Sequence, residues 1–225
     1  MTAREMQIAF ERESSFIDPT IKPSSTEIFW WINRSIETFV KTRWDGNNPK
    51  HEGFEQSQKR IDDLRTLVKE PTTTLVISAG TVKPNSYTAP IPVDYMFTLG
   101  EEVSITTIGT SPVTSREGIT ETSVDKYVDD IVNPFSEHIY HNGWARPLRL
   151  YRGSLVELIT DGTYTIVGYY LRYLMKPTVV ALPSTSCDLP EHTHYEIVKG
   201  AVRMYLENIK DPRYQTYNNE IVTSE

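Results

Sequence analysis

Apolar residues recur at three- and four-residue intervals through most of the first 70 positions, which is the spacing of one face of an α-helix. The pattern predicts a first short helix that ends before Asp18-Pro19 and a third helix over 54–68. Between them, Ser24 and Glu27 match a capping box ahead of an apolar run. The second helix that starts there carries a continuous apolar stripe formed by Ile28, Trp31, Ile32, Ile36, Phe39 and Val40.

Three aromatic residues of this second helix, Phe29, Trp30 and Trp44, lie off the stripe. A helix that is apolar on several sides is usually buried on several sides, either by its own domain or by a neighbour. Trp30 and Trp44 are therefore candidate residues of a protein–protein interface.

Between residues 72 and 182 the pattern changes to alternation rich in Thr, Val, Ile and Tyr, which is typical of strands. A short helix over 125–132, capped by Ser123 and stopped by Pro134, interrupts this region. Asp161-Gly162 is a strong two-residue hairpin signal between the last two long strands, and Gly153 marks another turn. The predicted strands are 74–78, 93–107, 147–152, 154–160, 163–175 and 178–182.

Residues 187–211 read as one more helix. Pro190 suits its first turn, and Glu191 places negative charge at the positive end of the helix dipole. Pro212 marks the stop. The apolar stripe of this helix comprises Ile197, Val198, Ala201, Val202, Tyr205, Leu206 and Ile209.

The polar segment 212–225 has little apolar periodicity and is not expected to fold alone. Tyrosine and arginine are favoured where a rigid side chain meets a partner. Arg213, Tyr214 and Tyr217 are therefore predicted to dock on another chain.

Segregated runs of helix and strand predict an α+β fold. We expect the C-terminal helix to return and pack on the N-terminal helices as a helical bundle, with the antiparallel β region as an insertion. The predicted parts are an N-terminal helical part over 1–71, a β-rich insertion over 72–186, the C-terminal helix over 187–211 and an extended tail over 212–225.

Composition narrows the class of protein. A net charge of −7 argues against binding duplex DNA by bulk electrostatics, although an acidic wall would suit a channel through which DNA slides. The single cysteine excludes an intrachain disulfide and a thiolate zinc cluster. Neither a signal peptide nor an apolar run of membrane-spanning length is visible. The 13 tyrosines slightly favour subunit contacts over ordinary strand positions.

Histidines and the cysteine are the obvious candidates for chemistry. His192 and His194 could bind a metal, but residues two apart on a helix point in different directions, so a solvated or interface-facing first turn is favoured. His138 and His141 are better interpreted as members of a hydrogen-bonded loop. Cys187 is more simply a small packing residue than a nucleophile. We therefore predict no catalytic residue, no cofactor and no metal ligand.

The remaining charged residues do not form a recognisable motif. Phosphate-binding glycine signatures and Gly-x-Ser-x-Gly are missing. The adjacent carboxylates Glu101-Glu102 and Asp129-Asp130 are expected to be solvated. Strand alternation splits the basic residues between two faces, so salt bridges to a neighbouring acidic subunit are favoured over a nucleic-acid surface. These basic residues are Arg146, Arg149, Arg152, Arg172 and Lys176.

The C-terminal sequence also resembles that of a known protein family. Leu189-Pro-Glu-His-Thr-His-Tyr-Glu-Ile-Val, Tyr205-Leu-Glu-Asn and Asp211-Pro-Arg-Tyr-Gln resemble the C-terminal block of a structural protein of crAss-like tailed phages. A second block supports it: Asn133-Pro-Phe-Ser-Glu-His, Ala145-Arg-Pro-Leu-Arg-Leu-Tyr and Leu171-Arg-Tyr-Leu-Met-Lys-Pro. The first 120 residues match only in general layout.

The resemblance implies a function that the residues alone do not. The family forms the head-to-tail connector, a neck ring stacked between the portal and the tail. It implies a non-enzymatic virion protein in a homo-oligomeric ring of twelve copies, which binds the portal protein and other neck or tail proteins and is assembled in the host cytoplasm. DNA would pass through the channel without sequence-specific binding. The alternative is a phage-encoded enzyme or nucleic-acid-processing factor that uses the histidines and arginines.

Overall fold

A computed structural model describes residues 1–17, 23–45, 58–70, 75, 77–80, 83–109, 112–141 and 143–209. The fold is mixed α+β and divides into two compact units. The helical unit comprises the described residues of Met1–Leu67 and Pro177–Glu225, and the β unit comprises those of Val68–Lys176. Among the described helices, none has both the length and the apolar character that crossing a membrane requires.

The helical unit contains four of the helices: α1 (Ala3–Ile17), α2 (Ser25–Asp45), α3 (Gln58–Leu64) and, after α4 of the β unit, α5 (His194–Asn208). Single 3-10 turns follow α3 at Arg65–Leu67 and precede α5 at Glu191–Thr193. The capping box at the start of α2 is half formed, because the backbone N–H of Glu27 donates to Ser24 Oγ at 3.3 Å. The stripe predicted for α2 is buried apart from the partly buried Phe39.

Helix α5 packs against both α1 and α2. The ring of Tyr205 lies 5.7 Å from that of Phe10 on α1 and 6.3 Å from that of Trp31 on α2. On the α2 side, Ser35 Oγ donates to the carbonyl of Ile197 at 2.8 Å. A Cβ added at Gly200 would lie 2.6 Å from Ser35 Oγ, so this glycine is what allows the two helices to approach closely.

The β unit contains two sheets. The four-stranded sheet has the order β1 (Val68–Lys69), β9 (Tyr164–Met175), β4 (Tyr95–Thr107), β5 (Thr114–Gly118). The five-stranded sheet has the order β2 (Ser78–Ala79), β3 (Ser86–Pro90), β8 (Leu155–Ile159), β7 (Leu148–Arg152), β6 (Thr120–Glu121). Helix α4 (Tyr127–Val132) lies between β6 and β7 in sequence.

Apolar residues of both sheets contribute to one buried cluster. Val103 and Ile105 come from β4, and Val156 and Leu158 come from β8. Among the described residues, four tyrosines are also buried within the chain, namely Tyr164, Tyr169, Tyr173 and, in the helical unit, Tyr205. Part of the tyrosine content therefore packs in the interior of the chain.

Several sequence-based expectations for the β unit are wrong. Asp161-Gly162 does not close a hairpin, because β8 pairs with β3 and β7 whereas β9 pairs with β1 and β4. Gly162 has a φ of +88°, and Asp161 Oδ1 accepts from the N–H of Thr163 at 2.8 Å. The tight turn is therefore formed, but it connects a strand of one sheet, β8, to a strand of the other sheet, β9. The region is also not wholly antiparallel, because β6 runs parallel to β7. The turn at Gly153, with a φ of +59°, does join an antiparallel pair, β7 and β8.

The transitions between the two units also differ from the predicted positions. Val68 was expected at the end of the third helix, but it pairs with Leu174 as part of β1. The boundary between the N-terminal helical part and the β region therefore lies before residue 68, and not between residues 71 and 72 as expected. The strand expected over 178–182 is not formed, because Asn33 on α2 binds both backbone groups of Val180. This segment consequently belongs to the helical unit. The β unit ends at Lys176, and the helical unit resumes at Pro177 and not after residue 186 as expected.

Candidate subunit interface

Trp30 is the most exposed aromatic residue of the helical unit, with 52% of its surface accessible. Its neighbour Trp31 faces the core, and the two rings meet edge to face with centroids 4.5 Å apart. The guanidinium of Arg34, one turn later on α2, lies 5.3 Å from the centre of the Trp30 ring. Trp30 is thus held in a defined orientation by a buried ring and a cation while one side remains open to solvent.

Two further apolar side chains are exposed near this turn of α2. The amide of Asn33 donates to the carbonyl of Val180 at 2.9 Å and accepts from its N–H at 2.8 Å. Because Asn33 follows Trp30 by three residues, it fixes the segment around Val180 alongside the turn that carries Trp30. Val179 and Leu182 of that segment are exposed. We call Trp30, Val179 and Leu182 the Trp30 patch.

The other residues predicted to form an interface are placed differently. Trp44 is partly buried and lies about 21 Å from Trp30 along the axis of α2, at 1.5 Å per residue. The structure therefore does not bring the two tryptophans together. Arg213, Tyr214 and Tyr217 lie outside the described residues.

A second exposed apolar surface lies on α4, where the sequence predicted only a short helix. Tyr127, Asp130 and Ile131 are partly buried. The opposite side is exposed, and it carries apolar side chains one turn apart where polar ones are usual. We call this surface the α4 patch, and it comprises Val124, Val128, Val132 and Phe135.

The sequence contained a signal for this surface. Helix α4 has apolar residues on two sides, and six residues are too few to bury both sides within a small unit. None of the side chains of α4 is fully buried. An apolar face that the subunit itself does not cover is typical of a binding surface.

Polar contacts attach the inner side of α4 to the β unit. Lys83 Nζ lies 3.3 Å from the centre of the Tyr127 ring and 3.9 Å from Glu157 Oε2. Asp130 Oδ2 accepts a hydrogen bond of 2.5 Å from Thr122 Oγ1. Burial lowers the pKa of Lys83, and the negative charge of Glu157 partly offsets that effect. These contacts fix the side of α4 that presents the patch.

Glu157 lacks the hydrogen bonds that buried polar side chains usually form. The residue is 1% exposed, and within the described part of the chain neither of its carboxylate oxygens accepts a hydrogen bond. Its nearest positive charge is the Lys83 ammonium, at the limit of an ion pair.

A buried charge cluster crosses between the two sheets of the β unit. Arg149 Nη1 donates to Glu101 Oε2 at 2.8 Å, and Tyr169 Oη donates to Glu101 Oε1 at 2.8 Å. Glu101 was expected to be solvated, but its side chain is only 7% exposed because Arg149 and Tyr169 compensate its desolvation. Arg149 also pairs with the exposed Glu121 at 2.5 Å.

The electrostatics of this cluster favour its charged state. Burial alone would lower the pKa of Arg149, and the neighbouring Glu101 and Glu121 charges more than offset it, so that pKa is raised. Burial and then the Glu101 charge raise the pKa of Tyr169, which keeps its hydroxyl protonated as a donor. The contacts of Glu101 with Arg149 and Tyr169 make this cluster a structural ion pair.

Two other arginines of the predicted basic group also have carboxylate partners within the chain. Arg146 pairs with Glu137 at 3.3 Å, and Arg172 pairs with Glu70 at 2.9 Å. With Arg149, three of the five basic residues are therefore neutralised inside their own chain. Arg149 is buried inside the chain, whereas Arg146 and Arg172 are about half exposed, so the expectation that the basic residues form salt bridges to a neighbouring subunit stays a prediction.

His192 and His194 diverge, as expected of residues two apart on a helix, but they are not equally solvated. His192 Nε2 lies 2.9 Å from Asp63 Oδ1, and that carboxylate also pairs with Arg43 Nε at 3.1 Å. His194 is buried, contrary to the expected solvated turn, and its Nε2 lies 2.8 Å from the carbonyl oxygen of Leu189. Burial lowers the pKa of His194. Both histidines thus hold the start of α5 in place.

The other candidates for chemistry are also engaged in packing or backbone contacts. His138 is buried with Nδ1 2.8 Å from Ser136 Oγ, and its carbonyl accepts from Tyr164 Oη at 2.9 Å. His141 exchanges backbone hydrogen bonds with Trp144. Burial raises the pKa of the partly buried Cys187 thiol, which disfavours the nucleophilic thiolate. In the part of the chain that the structure describes, no three His, Cys, Asp or Glu side chains are grouped so as to hold a metal ion.

Comparison with known proteins identifies the family. The profile of the family described as "Phage tail ring protein 3/4" matches residues 14–213. The chain is also 24% identical over 192 residues to "Ring protein 4/5" of Bacteroides phage crAss001, which covers 77% of this chain and 78% of that protein. The family match spans both units, and in the N-terminal part, where the sequence resemblance was weakest, it includes α2 and α3 and the end of α1. The chain therefore belongs to the phage tail ring protein 3/4 family of crAss-like phages.

Proposed function

We propose that this chain is a non-enzymatic subunit of a ring in the head-to-tail connector of a crAss-like phage. In this proposal, twelve copies surround the DNA channel, bind the portal on one side and contact other neck or tail proteins on the other. The subunit is assembled in the host cytoplasm and remains in the virion.

The observation that carries the proposal is the family match over both units, from residue 14 to residue 213. The structure is compatible with a role in assembly. Two exposed apolar surfaces, the Trp30 patch and the α4 patch, are available for partners, while the buried charged residues are engaged in internal contacts. The net charge of −7 suits a wall past which DNA slides without adhering.

The helical arrangement fits the same role. We propose that α1, α2 and α5 form the bundle that carries the ring contacts, with the β unit inserted between α3 and α5. The close approach of α2 and α5 at Gly200 and the contacts of Tyr205 with both other helices would make this part rigid.

The proposal is tested by the amount of this chain in purified virions. Isotope-labelled reference peptides for this chain and for the portal protein would give their molar ratio by mass spectrometry. We expect a ratio of one, because both would form rings of twelve copies. Absence of the chain from virions, together with a monomeric protein that processes DNA, would instead support a phage-encoded enzyme or nucleic-acid-processing factor.

A further inference from the structure

A closed ring places a strict demand on the surface of its subunit. In a ring of more than two identical subunits, each copy contacts its neighbours through two different surfaces, which must fit each other and not themselves. This requirement rests on the proposed function. Within the described residues, the Trp30 patch and the α4 patch are two such surfaces, one on each unit.

The exposed charges beside Val128 are acidic, whereas Trp30 has a cation, Arg34, one turn after it and a carboxylate, Glu27, one turn before it. Asp129 on α4 and Asp125 just before the helix are exposed, and neither forms a salt bridge among the described residues. Arg34 is exposed beside Trp30, and its guanidinium stacks on that ring and forms no ion pair among the described residues. A guanidinium that stacks on an indole keeps its N–H donors free at the edge for a carboxylate.

We propose that the α4 patch of one copy docks on the Trp30 patch of the next copy around the ring. Val128 and Val132 would pack against the open side of Trp30, and Val179 and Leu182 would border the same contact. Arg34 would then pair with Asp129 or Asp125 across the interface. The partner is a second copy of this chain, because both patches are apolar and the carboxylates of Asp125 and Asp129 complement the exposed guanidinium of Arg34.

The shapes of the two surfaces support this pairing. The α4 patch is a convex helical ridge with branched side chains one turn apart and Phe135 at its end. The Trp30 patch is composed of a flat ring bordered by the segment that Asn33 holds against α2. A half-exposed tryptophan whose orientation is already fixed loses little entropy on binding and is a frequent centre of protein interfaces.

Cysteine cross-linking of the full-length chain tests the pairing. In a Cys187→Ser background, one variant carries Val128→Cys and a second carries Val179→Cys, which leaves Trp30 in place. The two purified variants are mixed in equal amounts and oxidised, and the cross-linked peptides are identified by mass spectrometry. We expect a covalent dimer that joins residue 128 to residue 179, and mainly monomers from either variant alone. Because each of these side chains is exposed, both variants should keep the circular dichroism spectrum of the parent chain.

A matched control separates docking from random collision. Val93→Cys replaces a valine of the same unit that is more exposed than Val128, so its thiol is at least as accessible. Mixed with Val179→Cys, it should yield no more dimer than chance encounters produce. Equal yields from Val93→Cys and Val128→Cys would overturn the proposal, and a dominant 128–128 cross-link would replace it with a self-complementary interface.

A charge exchange supplies a second test that leaves the apolar side chains intact. Arg34→Glu should weaken assembly of the chain, measured by sedimentation, because it brings like charges together. Combining Arg34→Glu with Asp125→Arg and Asp129→Arg in one chain should restore assembly. Failure of this rescue would overturn the proposed pairing.

These tests also separate this proposal from the proposed function. A chain that is present in virions at the expected ratio, but whose cross-links map to other surfaces, is a ring subunit with a different interface. In that outcome the pairing is wrong, the proposed function stands, and the two patches are left for the portal or a tail protein. A chain that is absent from virions and does not self-associate overturns both.

Discussion

Replacing Arg149 by methionine should strongly destabilise the β unit. Arg149 and Glu101 are each only 7% exposed, and their side chains are joined at 2.8 Å. Methionine fills part of the space of arginine but leaves the Glu101 carboxylate buried without its cation. Removing one member of a buried pair costs about 3–5 kcal/mol because the remaining charge is uncompensated. We therefore expect the free energy of unfolding of Arg149→Met to fall by about that amount.

The assay is urea denaturation followed by far-ultraviolet circular dichroism, with Arg146→Met as the matched control. Arg146 makes the same kind of pair with Glu137, but both side chains are about half exposed, so the loss should be at most about 1 kcal/mol. Adding Glu101→Gln to Arg149→Met removes the stranded charge and should recover part of the lost stability. Similar losses for Arg149→Met and Arg146→Met would refute the reasoning that burial decides the cost.

Three further predictions follow from the burial pattern and the division of the chain. Burial and the hydrogen bond to Asp94 raise the pKa of Tyr173 to about 12, so the contribution of Tyr173 to stability should be complete below about pH 10 and lost as the pH rises through 12. In urea denaturation between about pH 9 and 12, Tyr173→Phe should therefore lose less stability than the parent chain; equal losses would contradict this. Replacing Val68–Lys176 by a flexible linker should leave a helical protein that melts cooperatively, whereas an unfolded product would show that the two units share one core. Truncation after Asp211 should leave the melting temperature nearly unchanged but prevent docking on the portal or completion of the ring, and normal assembly of the truncated chain would contradict the role predicted for Tyr214 and Tyr217.

The helices were the part of the fold most accessible to sequence analysis. The stripe of α2 and that of α5 are long enough for a period of three to four residues to be unambiguous, and both faces are buried as predicted. Ser24 also indicated the start of α2, because a capping contact depends on residues close in sequence. Local information therefore sufficed for the elements that are stabilised by local contacts and one buried face.

The β unit was less predictable because strand pairing depends on contacts far apart in sequence. Asp161-Gly162 specifies a tight turn, yet the turn alone does not decide whether the next strand joins the same sheet. The short strand β6 pairs in parallel with β7 across the whole of α4, which no local signal indicates. Chain-local patterns consequently predicted strands but not their partners.

The residues of the candidate interface were also predictable only in part. Trp30 was identifiable because it departs from a clear stripe, and the structure leaves it exposed. The α4 patch was missed: apolar residues on two sides of α4 indicated that one side stays uncovered, but a helix of six residues has too few positions to show which side that is. The burial of Glu101 was equally hidden, since its partners Arg149 and Tyr169 come from two other strands.

A cryo-electron microscopy reconstruction of the neck of the virion tests the central claim most directly. We expect a closed ring of this chain around the DNA channel between the portal and the tail, with α4 of each copy against α2 of its neighbour. A reconstruction in which the connector contains no density that fits the helical unit and the β unit of this chain would contradict its assignment as a ring subunit of the connector.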